Sequence, residues 1–121
     1  MNDSVCVMIN SCKENADKAT VGFVVATAAV GSGKNTLVFL ATDGVWAGVK
    51  SEAGQIDEGA PFKPLAELVT NYLAAGGKIA ACAPCCKKRG IEQADLFDGV
   101  EIAGGAKLVE FLCNGAASVS F

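Results

Sequence analysis

Cys82, Cys85 and Cys86, three of the chain's six cysteines, stand within five residues, and Lys87, Lys88 and Arg89 follow at once. Cysteine does its chemistry as the thiolate, the form that attacks sulfane sulfur, opens disulfides and binds metal ions. Lys78 to Ala81 reads as a short buried strand after the Gly76-Gly77 turn. Pro84 suits the first helical position, where no amide hydrogen bond is lost. Cys82 is therefore expected just before a helix, with Cys85 and Cys86 in its first turn. Unpaired amides and the positive end of the helix dipole favour an anion there. With three cations beside it, a thiol at this place is expected to have a lowered pKa. The chain contains no histidine, so no mechanism here uses imidazole as base or ligand.

Several chemistries fit these residues. Cys82-Ala83-Pro84-Cys85 is a C-x-P-C element at a strand-to-helix junction and resembles the redox motif of thioredoxin-like proteins. The context differs, because the motif begins at residue 82 and no proline follows Pro84. The same pair has the spacing that would supply half of a structural zinc site. The other half would need Cys86 with a distant Cys12 or Cys113, and no metal site is assigned on that basis. The plain alternative is three small thiols packed in a core, yet three cysteines beside a cationic run are poor core filler. Cys6 lies inside the first strand and reads as core. Cys113 extends the apolar positions Leu108, Val109 and Leu112 and is expected to be buried. Cys12 sits where the first strand hands over to a helix.

The elements around the motif alternate. Ser4 to Ile9 is a nearly continuous apolar run, as in a strand covered on both faces. Ala16 to Val30 is an alanine-rich helix, apolar nearly all round, with Ser11 and Glu14, or Asp17, as candidate caps and Gly31 and Gly33 at its end. Asn35 to Thr42 is a second buried strand, broken by Asp43-Gly44. Val45 to Lys50 is a short helical piece carrying Trp46, and Ser51 to Pro61 an exposed loop, the best candidate for a lid or recognition segment. Pro64 to Ala75 is an amphipathic helix, with Leu65, Leu68, Val69, Tyr72 and Leu73 on one face. Ile91 to Asp98 is mixed, Val100 to Ala103 a strand, Lys107 to Cys113 a helix and Ala117 to Phe121 a last strand. Gly31-Ser-Gly-Lys-Asn-Thr36 lacks the spacing of a phosphate-binding loop and reads as a helix-ending turn. The alternation predicts one α/β domain over residues 1–121, a mainly parallel sheet flanked by helices. Sites in such sheets form outside the carboxyl ends of the strands. Cys82, Cys12 and the Thr42-Asp43-Gly44 turn all stand at such ends. They are expected to meet in one crevice, with Cys86 beside them.

At 121 residues, 51% hydrophobic and 19% charged, the chain is globular and large enough for a real core. No apolar run reaches the length of a membrane span, and Met1-Asn2-Asp3-Ser4 lacks the regions of a signal peptide. These features predict a cytoplasmic protein whose cysteines are thiols. Net charge is −3 and no basic stripe interleaves with aromatics, so nucleic acid and membrane are not expected partners. The helix from Ala16 has too little polar surface to face water and predicts contact with another subunit.

One longer pattern joins these pieces. Gly76-Gly77-Lys-Ile-Ala-Ala-Cys82, seven residues, then Gly90-Ile91 resembles the strand, cysteine and Arg-Gly-hydrophobic signature of the DsrE/DsrF-like family, with its TusD and YchN relatives. The Ala16 helix, the Leu-Val-Phe-Leu strand and the Asp43-Gly44-Val45 turn follow in that family's order. The resemblance implies an α/β sandwich assembled as a trimer or hexamer. It also implies that Cys82, eight residues before the glycine, carries sulfane sulfur as a persulfide between donor and acceptor proteins, with no cofactor. In that relay reading Cys85 either resolves the persulfide or protects Cys82 as a disulfide, while Lys87, Lys88 and Arg89 tune the field. Cys85 and Cys86 stand where small apolar residues are common in the family, which opens disulfide or metal chemistry. A thiol–disulfide redox protein and a non-catalytic interaction subunit remain as alternatives.

Overall fold

The strands are apolar on both sides because both sides are covered. In β2 (Asn35–Leu40), Val38 and Leu40 enter a large core on one face, while Leu37 and Phe39 enter a smaller one on the other. β1 (Ser4–Ile9) divides in the same way, Val7 and Ile9 against Cys6, and so does β3 (Lys78–Cys82), Ile79 and Ala81 against Ala80. This alternation is the two-residue period of a strand acting between two layers.

The computed structural model describes residues 3–121. β4 (Val100–Ala103) and β5 (Ala117–Ser120) complete a five-stranded sheet in the order β4-β3-β2-β1-β5, with every pairing parallel. Helices α1 (Ala16–Gly31) and α3 (Leu65–Ala74) lie together over one face. There Phe23 meets Tyr72 edge-on at 5.8 Å. α2 (Lys50–Ala53) and α4 (Ala83–Lys88) are short, and a 3-10 turn covers Thr42–Gly48. Among the described residues α5 (Gly105–Cys113) covers the opposite face, laying Leu108, Phe111 and Leu112 on Cys6, Leu37, Phe39 and Ala80.

Parallel strands need long crossovers, so every strand ends at the same edge of the sheet. The amino edge is fastened by Tyr72, whose hydroxyl meets the carbonyls of Thr36, at 3.1 Å, and Lys78, at 2.8 Å. Gly77 makes this possible, because a Cβ there would lie 2.2 Å from Cζ of the Tyr72 ring.

Several sequence expectations need correction. α1 is capped by Asn15, which accepts from the Lys18 amide at 3.3 Å. Glu14 instead accepts from the Cys12 amide at 2.8 Å. The stretch from Ser51 begins inside α2 and is a loop only beyond it. Its Pro61–Lys63 end lines a groove of about 350 Å³ with Val24, Thr27, Leu68 and Asn71, between α1 and α3, and no cysteine lines that groove. Cys113 is exposed. Leu108, Phe111 and Leu112 form the inward stripe of α5, and Val109 and Cys113, four apart, share its outer side.

Candidate functional site

The carboxyl ends of β1, β2 and β3 lie side by side, and β2 and β3 each run into a tight turn there. After β2, Gly44 presses against the end of β1: a Cβ at that position would fall 1.9 Å from the Ile9 carbonyl oxygen. Only glycine allows the approach. Two residues earlier, Thr42 adopts φ +50°, the left-handed region that costs a side-chain-bearing residue about 1–2 kcal/mol. Its hydroxyl donates to the Asn10 carbonyl at 2.6 Å. Its amide then donates to Cys85 Sγ at 3.2 Å.

After β3, Cys82 occupies the position just before α4, with Ala83 and Pro84 opening the helix. Cys82 and Cys85 are half-buried free thiols, one at the N-cap and the other in the first turn of the same short helix. Arg89, at the end of α4, donates from Nε and Nη2 to Asp43 Oδ1 at 3.0 and 2.9 Å, and from Nη1 to the Cys85 carbonyl at 3.1 Å. One side chain thus ties the turn after β2 to the helix after β3.

The electrostatics differ from the sequence expectation. The Cys82 thiol is pushed up, first by burial and then by hydrogen bonding to the Cys85 side chain. The Cys85 amide acts the other way, although it makes no capping hydrogen bond, and Arg89 is the cation that lowers the value. Lys87 and Lys88 are exposed and exert no comparable pull. α4 has only six residues, too few for the dipole effect the sequence suggested.

The remaining residues separate. Cys86 is 1% exposed, and burial pushes its thiol up to about 11. It forms part of a cleft of about 330 Å³ with Ala83, Lys87, Ile91, Glu92 and Ile102. Cys12 is fully buried, and burial with the nearby Glu14 carboxylate raises its thiol to about 12. The turn after β2 does meet the segment after β3, through Thr42 to Cys85 and Asp43 to Arg89, whereas Cys12 is fully buried in the core and Gly44 serves as a packing contact. The sequence reading missed Thr42 as an amide donor. An apolar strand ending at Thr-Asp-Gly signals a turn, while left-handed backbone at the threonine follows from its hydroxyl bond to a distant carbonyl. Trp46, on the same turn, lies under Lys13, which stands 4.1 Å over its ring and 3.6 Å from Glu52.

Comparison with known proteins fits this architecture. The sequence pattern of the DsrE/DsrF-like family matches residues 3–121. The chain belongs to that family. An uncharacterized protein of Methanopyrus kandleri is 31% identical over 110 residues, 91% of this chain and 87% of that protein. One from Methanocaldococcus jannaschii is equally similar over 91% of this chain, which spans only 40% of that longer protein. Among solved structures, the YchN protein from E. coli superposes over the whole of both chains with a TM-score of 0.82 at 23% identity. A protein of unknown function from Methanobacterium thermoautotrophicum gives 0.73 at 15% identity over 99% of this chain and all of its own. These structures share the fold of this chain.

Proposed function

We propose that this chain carries sulfane sulfur as a persulfide on Cys82, in a sulfur relay between a donor and an acceptor protein. The observation that carries the reading is the place of Cys82. It is a half-buried free thiol at the carboxyl end of β3, eight residues before Gly90, in a chain of the DsrE/DsrF-like family. Cys113, the exposed thiol, lies at the far end of α5, which leads into the amino end of β5.

In this reading the Cys82 thiolate attacks the outer sulfur of a donor persulfide. The donor's S–S bond breaks, the donor leaves as a thiolate, and the sulfur remains on Cys82. An acceptor nucleophile later takes that outer sulfur and returns Cys82 as thiolate. Arg89 favours the anion at each stage, while Asp43 and the Cys85 carbonyl hold the guanidinium in place. The raised pKa makes loading faster as pH rises, because more thiolate is present. Among the described residues no helix is long and apolar enough to cross a membrane. The chain acts as a homotrimer or homohexamer in this reading, its apolar α1 surface around Val24 covered by another copy.

A second reading, thiol–disulfide exchange, is favoured by the placement of Cys82 and Cys85 at the N-cap and in the first turn of α4. Intact-mass measurement after exposure to inorganic polysulfide separates the two. Gain of one sulfur atom on Cys82 supports the carrier, and oxidation of both thiols with no sulfur uptake at any time supports exchange alone.

A further inference from the structure

We propose that Cys85 discharges the Cys82 persulfide within the chain, releasing hydrosulfide and leaving a Cys82–Cys85 disulfide. The step rests on the persulfide reading above and adds an activity to it: conversion of sulfane sulfur to sulfide.

Three observations meet at Cys85. It stands three residues after Cys82, the N-cap of α4, in the first turn of that helix, so the attacking and attacked sulfurs belong to neighbouring residues on the same side of the helix start. Its sulfur accepts the Thr42 amide at 3.2 Å, a donor that stabilises negative charge as the thiol loses its proton. That amide is held by a hydroxyl bond to the Asn10 carbonyl and a left-handed backbone, so the donor is in place without rearrangement. Cys86, next in sequence, is 1% exposed and lines the separate cleft with Ile91 and Ile102.

The step balances without an external oxidant. The Cys85 thiol gives its proton to the departing sulfur as its own sulfur attacks Cys82 Sγ. The Cys82 S–S bond to the outer sulfur breaks, and the S–S bond between Cys82 and Cys85 forms. The outer sulfur leaves as hydrosulfide, carrying that proton and the electron pair of the broken bond. Sulfane sulfur is reduced and the two thiols are oxidised. A dithiol reductant then reopens the disulfide by thiol–disulfide exchange and resets the site. Over a full cycle a sulfane donor and a dithiol become hydrosulfide and a disulfide.

The test uses the full chain, loaded anaerobically with inorganic polysulfide, desalted rapidly and held without added thiol. Hydrosulfide is trapped with monobromobimane while intact mass and peptide maps are followed. Wild type is expected to release about one hydrosulfide per chain and to end two hydrogens lighter than the reduced protein, with Cys82 and Cys85 linked. Cys85→Ser and Cys85→Ala are expected to hold the sulfur, releasing it at least about tenfold more slowly because the attacking thiol is gone. Cys86→Ser should release it like wild type. Loaded wild type that keeps its sulfur as long as Cys85→Ser does overturns the discharge and leaves the carrier reading standing. Release from Cys85→Ser at the wild-type rate also overturns it. If neither wild type nor Cys85→Ser takes up sulfur, the carrier reading falls and the discharge falls with it.

Discussion

Arg89 holds a single oxygen of Asp43 through two of its nitrogens, at 3.0 and 2.9 Å, across 46 positions of sequence. The same guanidinium is the cation that lowers the Cys82 pKa. Arg89→Ala should therefore raise that pKa further and slow alkylation of Cys82 by iodoacetamide near neutral pH. It should also cost about 1 kcal/mol of stability, the worth of a partly exposed, charge-assisted pair. Arg89→Lys keeps the charge but not the planar fork, so it should recover part of the alkylation rate and little of the stability. Rates in the three proteins, measured against pH, check both statements. An unchanged Cys82 profile in Arg89→Ala would remove Arg89 from the site.

Cys82→Ser should abolish sulfur loading while leaving the fold intact. A hydroxyl replaces a half-buried thiol of nearly equal size, so the thermal midpoint should move little. Mass spectrometry after polysulfide treatment gives the answer, and wild-type loading in the variant refutes the assignment of Cys82.

Stability should fall at alkaline pH. The Cys12 and Cys86 thiols are raised from an ordinary value near 9 to about 12 and about 11. Above pH 9 the unfolded chain gives up these protons and the folded chain keeps them, so the unfolded state binds fewer. Their stabilising effect is complete below pH 9 and is lost as pH rises through the folded values. The slope approaches about 1.4 kcal/mol per pH unit for each group within that window. Urea denaturation at pH 8, 9.5 and 10.5 under reducing conditions tests this. Cys12→Ala should flatten the slope, and the same slope in wild type and variant would contradict it.

Assembly is open to a direct test. α1 buries Ala19, Phe23 and Ala26 against the sheet, but beyond its first turn it turns Val24 and Ala28 outward. Val24 is 39% exposed and borders the groove beside Phe62 and Leu68. Light scattering on a size-exclusion column should give a trimer or hexamer at micromolar concentration, and Val24→Asp should shift it towards smaller species. A wild-type monomer rules out the assembly. An unchanged oligomer in Val24→Asp places the contact elsewhere.

The architecture was readable because it is written in periods. Val38 and Leu40 against Leu37 and Phe39 show a strand covered on both faces, and Leu65, Leu68, Val69 and Tyr72 show a helix on a sheet. The mistakes arose where a pattern has the same appearance in two environments. Val109 and Cys113 are apolar yet exposed, since apolar residues are common on surfaces as well as in cores. Lys87 and Lys88 are cations in the right stretch, but their exposure separates them from the sulfur they were expected to tune. Burial of Cys82 depends on tertiary approach, which adjacent letters do not encode, whereas its nearness to Cys85 follows from their spacing at one helix start. Thr42 was hidden for the same reason. Its amide reaches Cys85 only because the turns after β2 and β3 are neighbours.

Tyr72 gives the sheet two unlike ends. One hydroxyl clasps β2 and β3 at their starts, through Thr36 and Lys78, far along the strands from the turns that hold the thiols. Hydrogen exchange should follow that gradient, slowest near the clasp and faster towards Thr42 and Cys82. A scaffold anchored in this way tolerates exchange of the segments at its unclasped rim, so the residues around Cys82 can be rewritten while the strands keep their register.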